Sequence, residues 1–275
     1  MYETILLPVD GSAYGDWARR LAVQLLAPQG TIRLLHVIDI VAIEGSFLQD
    51  LAGAVGAEPF LNLSPKLERI LREKGEAVLA IHQSACEAAG VRCEAVLETG
   101  IVSSVIAAKA AEADVVILGR HGRHERFRAG LAGSTAEGVL RRSPKPVIIV
   151  PAEPKPLQSV CLGYDGSAHA RHAMDVAEQI CKKRSLPLSV VIAGKDMLAI
   201  EPVQEEVAKR VGGSSHPIEI HAREGKVHEV LVAAAGSHDL FVMGAYGHNR
   251  IVELVLGSTT EYMLRNAPVP TLFIR

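Results

Sequence analysis

At 275 residues the chain is long enough for one large domain or two of ordinary size. Apolar residues make up 48%, aromatics 4% and the net charge is −2, so a globular chain with a sizeable core is expected. The same figures leave neither the basic footprint nor the base-stacking aromatics of a nucleic-acid binder.

The four cysteines, Cys86, Cys93, Cys161 and Cys181, show no Cys-x-x-Cys spacing and read as reduced thiols. The start, Met1 to Pro8, lacks the basic and long apolar regions of a signal peptide. No apolar stretch reaches the ~20 residues of a membrane span. A cytoplasmic protein with no membrane partner is the expectation.

The run Thr4 to Val9 reads as a buried strand that ends in Asp10-Gly11-Ser12. Ala18, Leu21, Ala22, Leu25 and Leu26 then follow helical spacing, with Ser12 placed to cap the helix. Thr31 to Val37 is a second strand, and Asp39 to Ser64 reads as loop or weak helix. Pro65 is placed to open a helix whose apolar face is Leu67, Ile70, Leu71, Val78, Leu79 and Ile81. A strand at Val91 to Glu98, a helix with Val102, Val105 and Ile106, and a strand at Asp114 to Leu118 come next. The loop Gly119 to Gly133, a helix from Ser134 to Arg142 and the strand Pro146 to Val150 complete the series. Such alternation predicts a parallel-type sheet with helices on both faces.

Three prolines within Pro151 to Pro156 mark a stiff linker between domains at 1–152 and 157–275. Beyond it the pattern repeats. Tyr164-Asp165-Gly166-Ser167-Ala168 answers Val9-Asp10-Gly11-Ser12-Ala13, Asp239 to Gly247 answers Asp114 to Gly122, and Gly257-Ser258-Thr259 answers Gly133-Ser134-Thr135. The offset between matched residues falls from 155 at the start to 124 at the end. The second half is therefore shorter between its second and third strands, and the first half has one extra residue in its glycine loop.

Each glycine loop lies between a strand and a helix N-terminus, where backbone amides and the helix dipole favour an anion. The glycines either let the main chain approach phosphate or only make turns, and Ser258 and Thr259 either cap the helix or donate hydroxyls to phosphate. Asp10 and Asp165 end strand one, which neighbours strand four if the order is 3-2-1-4-5. Each then either accepts hydrogen bonds from ribose or braces its own turn, and its joint recurrence with the glycine loop favours nucleotide contact.

Gly244-x2-Gly247-x9-Gly257-Ser258, with Asp165 after the first strand and the terminal run Pro268 to Ile274, resembles the universal stress protein family over nearly the whole chain, twice. The resemblance implies a tandem-domain member: two Rossmann-like domains, each a five-stranded parallel-type sheet in the order 3-2-1-4-5. It also implies adenine-nucleotide binding, ATP with Mg. The acidic residue would meet the nucleoside, main chain at the end of strand two the adenine, and the glycine loop with its Ser/Thr the phosphates. Carried over, the second half would use Asp165, Ala193, Gly244, Gly247, Gly257, Ser258 and Thr259, with His248 beside the phosphates. The first half would use Asp10, Val37, Gly119, Gly122, Gly133, Ser134 and Thr135. Its loop departs from the pattern, with ten residues rather than nine between the second and third glycines. Arg120, Arg123, Arg126 and Arg128 there are either phosphate contacts or a solvated face.

The pairs His121/His124 and His169/His172 have no third ligand nearby, so no metal site is expected. No G-x-S-x-G, H-E-x-x-H or P-loop is present, so no catalytic residue is assigned. The favoured function is an ATP-binding stress-response regulator that meets an unknown protein partner and has its better-matched site in the second half. The alternatives are a slow ATPase or nucleotidyl-transfer enzyme and a scaffold without nucleotide. In single-domain family members the last strand pairs with its twofold mate, so Pro146 to Val150 and Pro270 to Ile274 are expected to pair within the chain, covering two sheet edges. Homodimerisation stays open.

Overall fold

The computed structural model describes residues 1–39, 63–122, 133–212, 217–245 and 256–275. Ten strands are described in chain order: β1 (Tyr2–Pro8), β2 (Leu26–Asp39), β3 (Arg92–Gly100), β4 (Val115–Gly119), β5 (Val147–Val150), β6 (Val160–Gly163), β7 (Leu188–Gly194), β8 (Ile218–Glu224), β9 (Leu240–Gly244) and β10 (Thr271–Ile274). The described helices are α1 (Ala13–Leu25), α2 (Leu63–Ala88), α3 (Val102–Ala110), α4 (Ser134–Arg142), α5 (Ala168–Arg184), α6 (Met197–Val211), α7 (Val227–Ala235) and α8 (Ser258–Asn266).

All ten strands share one sheet in the order β3-β2-β1-β4-β5-β10-β9-β6-β7-β8. Each half thus has the order 3-2-1-4-5 that the family resemblance implied. Pairing is parallel throughout each half, and antiparallel only where β5 meets β10. There Val147, Ile148 and Ile149 stand opposite Phe273, Leu272 and Thr271, all buried. Two short apolar strands that would each have been an open edge cover one another.

The strands feed two cores. Ile5 and Leu7 point to the face packed by α1, α2, α5 and α6, while Leu6 points to the face packed by α3, α4, α7 and α8. This period-two alternation within a continuous apolar run is what a sheet buried on both faces requires.

Two sequence expectations need correction. β2 starts five residues earlier than the predicted Thr31, at Leu26, directly after α1. The predicted inner face of α2 is also rotated: Ile70 and Ile81 are 56% and 69% exposed, and the buried stripe runs Gly75, Val78, Leu79, His82 and Cys86. Gly75 sets that rotation, because a Cβ there would lie 2.7 Å from His36 Cδ2 and 2.8 Å from Leu97 Cδ1. Only a bare backbone lets α2 close onto β2 and β3. The helix also opens at Leu63, with Pro65 inside its first turn. Most of the segment Asp39 to Ser64, namely 40–62, lies outside the described residues.

The proline-rich stretch from Pro151 to Pro156 has no regular structure and is tied to α1. Arg20 pairs with Glu153 at 2.5 Å, and the Leu157 amide donates to Gln24 Oε1 at 2.8 Å.

Candidate functional site

At the carboxyl end of β1 the chain turns through Asp10, Gly11 and Ser12. Gly11 has φ 77°, the left-handed conformation that glycine adopts without strain. Asp10 Oδ1 accepts from the Ser12 amide at 2.9 Å, and Ser12 Oγ accepts from the Gly15 amide at 3.4 Å as the α1 cap. The second half repeats the device. Gly166 has φ 75°, Asp165 Oδ1 accepts from Ser167 at 3.0 Å, and Ser167 Oγ accepts from Ala170 at 3.1 Å. One carboxylate oxygen therefore braces the turn. The other oxygen of Asp10 faces the glycine loop: a Cβ on Gly122 would lie 2.9 Å from Asp10 Oδ2.

The glycines of that loop act through close packing rather than left-handed backbone. Among the described residues the positive-φ glycines are Gly11, Gly90, Gly100, Gly166 and Gly225, none of them a predicted phosphate-loop position. At Gly119 a Cβ would lie 2.4 Å from Tyr14 Cβ, so β4 and α1 meet only because the side chain is missing. Gly244 repeats this against α5, with His169 Cβ 2.8 Å away.

Gly133 is the N-cap of α4, and Gly257 that of α8, and no side-chain hydrogen bond closes either first turn. This corrects the capping alternative for Ser258 and Thr259, which sit one and two residues inside the helix. Ser134 and Ser258 are exposed, whereas Thr135 and Thr259 are half-buried. The first-turn amides of a helix lack intrahelical acceptors, so uncapped starts such as these are suited to an anion.

These parts meet in one crevice of the first half, of about 580 Å³ including its open mouth. Asp10, Val37, Gly119, Gly122, Gly133 and Thr135 line it, along with apolar Val9, Val102 and Ile106 and the ring of His121. Its size and its mixture of apolar wall and few polar groups suit a small organic ligand. His121 packs edge-on to Tyr14 at 5.3 Å, and Tyr14 to Trp17 at 4.7 Å. Ser134 is not among the lining residues.

In the second half Asp165 follows β6, and Gly244 ends the neighbouring β9, where Gly163 pairs with Met243. Ala193 is the penultimate residue of β7, while Gly257, Ser258 and Thr259 open α8. Gly247 and His248 lie outside the described residues, as do His124, Arg123, Arg126 and Arg128.

The Arg120 guanidinium is held by the other half: it donates through Nη1 to the carbonyls of Arg265, at 3.1 Å, and Ala267, at 2.9 Å. Burial lowers its pKa, and its Nε is buried with no hydrogen-bond partner.

Two histidines that the sequence reading passed over stand behind the crevice. His36 Nδ1 is 2.7 Å from the Val9 carbonyl, and His82 packs on Gly15 with its Nδ1 buried and unpartnered. Burial is the main cause holding both pKa values below the ordinary histidine value. The available signal was a histidine inside an apolar strand and another at helical spacing from Val78 and Leu79. The second half replaces this arrangement with an ionic one: Tyr164 Oη and Arg171 both donate to Glu206, at 2.6 and 2.8 Å. Those hydrogen bonds, Arg171's first, lower the Glu206 carboxyl to about 2.

Among the described residues no group of three or more His, Cys, Asp or Glu side chains is placed to hold a metal, and no helix is long and apolar enough to cross a membrane. All four cysteines are free.

The model of the universal stress protein family matches residues 1–151 and 192–275. The chain belongs to the universal stress protein family. A universal stress protein of Synechocystis is 30% identical across 99% of this chain and 100% of its own. One from Thermus aquaticus is 32% identical over 43% of this chain but 98% of its own length, so a whole relative corresponds to about half of this chain. A universal stress protein structure from Archaeoglobus fulgidus shares the fold at a TM-score of 0.77, with 22% identity, covering 98% of this chain and 95% of that one. The family assignment and the doubled sheet agree on a tandem arrangement.

Proposed function

We propose that this member of the family is a regulator that binds an adenine nucleotide, ATP with Mg, at the carboxyl ends of the strands in each half. The observation that carries the proposal is the convergence of Asp10 Oδ2, the Gly122 main chain and the uncapped start of α4 on one crevice. The crevice lining combines the chemistries that a nucleotide presents. Asp10 is the acceptor for ribose hydroxyls, and Val9, Val37, Val102 and Ile106 give an apolar wall against the base. The main chain of Gly119, Gly122 and Gly133, with Thr135, faces the phosphates. Mg would arrive on the phosphates, where one carboxylate and water complete its shell, so a protein-built metal cage is not required.

The second half carries the same Asp-Gly-Ser turn and uncapped helix, and its nine-residue loop matches the family spacing. We assign it a site from Asp165, Ala193, Gly244, Gly247, His248, Gly257, Ser258 and Thr259, tighter than the first. In this reading the domains are 1–152 and 157–275, and occupancy in the cytoplasm alters which protein partner is met.

Trp17 is the chain's one tryptophan and touches the crevice through Tyr14 and His121. Titration with Mg-ATP is expected to change its fluorescence saturably in the wild type and not in Asp10→Ala. Absence of any change, together with no heat of binding, would refute the reading. Release of ADP over many turnovers would move the assignment to an ATPase.

A further inference from the structure

The two halves grip each other at equivalent points by non-equivalent residues. Arg120 of the first half donates to the carbonyls of Arg265 and Ala267 at the end of α8. Arg275 of the second half donates to the carbonyls of Arg141, at 3.1 Å, and Ser143, at 2.7 Å, at the end of α4. Arg141 and Ser143 are the counterparts of Arg265 and Ala267, but Arg120 corresponds to Ala245 and Arg275 to Pro151. Different positions have thus come to supply a cation to the same helix end, the place where a helix C-terminus favours positive charge.

Each capped helix begins at a glycine N-cap: α4 at Gly133, which lines the first-half crevice, and α8 at Gly257, its counterpart in the second half. Arg120 is itself part of the first crevice wall. Its amide donates to the Val150 carbonyl at 2.9 Å and its carbonyl accepts from the Gly133 amide at 3.2 Å, so it joins both ends of the glycine loop. The Arg120 main chain therefore bears on the start of α4, and its guanidinium is fixed to the other half, so a displacement of one is passed to the other. The two N–H groups of Nη1 serve the two carbonyls, while Nε is buried without an acceptor, so the hold is under-satisfied at that one atom. A shift that gave Nε an acceptor would offset its desolvation, so this contact is the element whose rearrangement could carry coupling.

We propose that Arg120 and Arg275 are positioning residues that set the phosphate-facing helix of the opposite half, so that the two crevices bind nucleotide interdependently. The proposal rests on the nucleotide reading above. It makes the coupling mutual, as linkage demands.

The test is a thermodynamic cycle on the full chain with Mg-ATP. Second-half affinity is measured by calorimetry in wild type, Asp10→Ala, Arg120→Met and the double variant, with Trp17 fluorescence marking the step that fills the first crevice. Methionine keeps an apolar stem at the seam while removing the donors. Asp10→Ala is expected to change second-half affinity by about fivefold or more when Arg120 is present, and by less than about twofold when it is methionine. Arg275→Met is expected to change first-half affinity in the same way. If Arg120→Met fails to fold, Arg120→Lys, with one shorter donor group, is expected to give an intermediate coupling. Equal effects of Asp10→Ala in both backgrounds would overturn the coupling and leave the two-site nucleotide reading standing, whereas a single nucleotide per chain would overturn the coupling and confine that reading to one half. No nucleotide bound by the wild type would remove that reading itself.

Discussion

Gly119 and Gly122 stand three apart in one loop, yet the structure gives them different work, and alanine separates the two. At Gly119 the new Cβ would be 2.4 Å from Tyr14 Cβ and 3.2 Å from the Tyr14 carbonyl carbon. Neither neighbour is the flexible end of a side chain, and α1 cannot retreat because Ala18, Leu21, Ala22 and Leu25 are within 1% of full burial. Gly119→Ala is therefore expected at the upper end of overpacking costs, about 3 kcal/mol. That corresponds to a fall in Tm of roughly 6–12 °C for a chain of this size. At Gly122 the Cβ would meet Asp10 Oδ2 at 2.9 Å, a side-chain atom at the crevice. Gly122→Ala is expected to move Tm by no more than about 2 °C, matching a surface change near 0.5 kcal/mol, while weakening Mg-ATP. Thermal unfolding followed by circular dichroism, with and without nucleotide, reads both. A neutral Gly119→Ala that abolishes binding would refute the assignment of that glycine to helix packing.

Other consequences follow from particular contacts. Leu272→Ala at the β5–β10 seam, where Leu272 and Ile148 are fully buried partners, is expected to cost about 2–5 kcal/mol in urea unfolding. His36 and His82 have folded pKa values lowered by burial, so the unfolded chain takes up their protons first. Their contribution is complete above the unfolded value of about 6.5 and is lost as pH falls through it toward the folded values. His82→Leu is expected to flatten that acid limb in unfolding measured from pH 7 to pH 5. Glu206, lowered to about 2, contributes above its ordinary carboxylate range and loses that contribution as pH falls from about 4.5 toward 2. Since Glu206 and Arg171 are partly exposed, Glu206→Gln at neutral pH is expected to cost about 1 kcal/mol or less by urea unfolding.

Much of the fold was legible because it is written in local signals. The apolar runs, the Asp-Gly-Ser turns and their recurrence define strands, helix starts and the duplication, while the strand order came with the family resemblance. The seam was legible through the family resemblance, which implied that Pro146 to Val150 and Pro270 to Ile274 pair, and the pairing covers two strands that would otherwise be edges. What the sequence could not convey depends on distant partners. The rotation of α2 is set by Gly75 meeting His36 and Leu97, and period alone counted Ile70 and Ile81 as core. Arg120, beside three other loop arginines, read as either a phosphate contact or part of a solvated face; its acceptors are backbone carbonyls over 140 residues away. The glycine spacing marked the end of β4 at Gly119 and the start of α4 at Gly133, while the reason for Gly119, contact with Tyr14, exists only once α1 is packed.

The central claim is that nucleotide occupies the Asp10 crevice and its counterpart at Asp165. Native mass spectrometry of the full chain with Mg-ATP, alongside Asp10→Ala, Asp165→Ala and the double variant, tests it most directly. The account predicts two nucleotides on the wild type, one on each single variant and none on the double variant. A wild-type chain that retains no nucleotide from micromolar to millimolar concentration would contradict it, as would binding that neither aspartate affects.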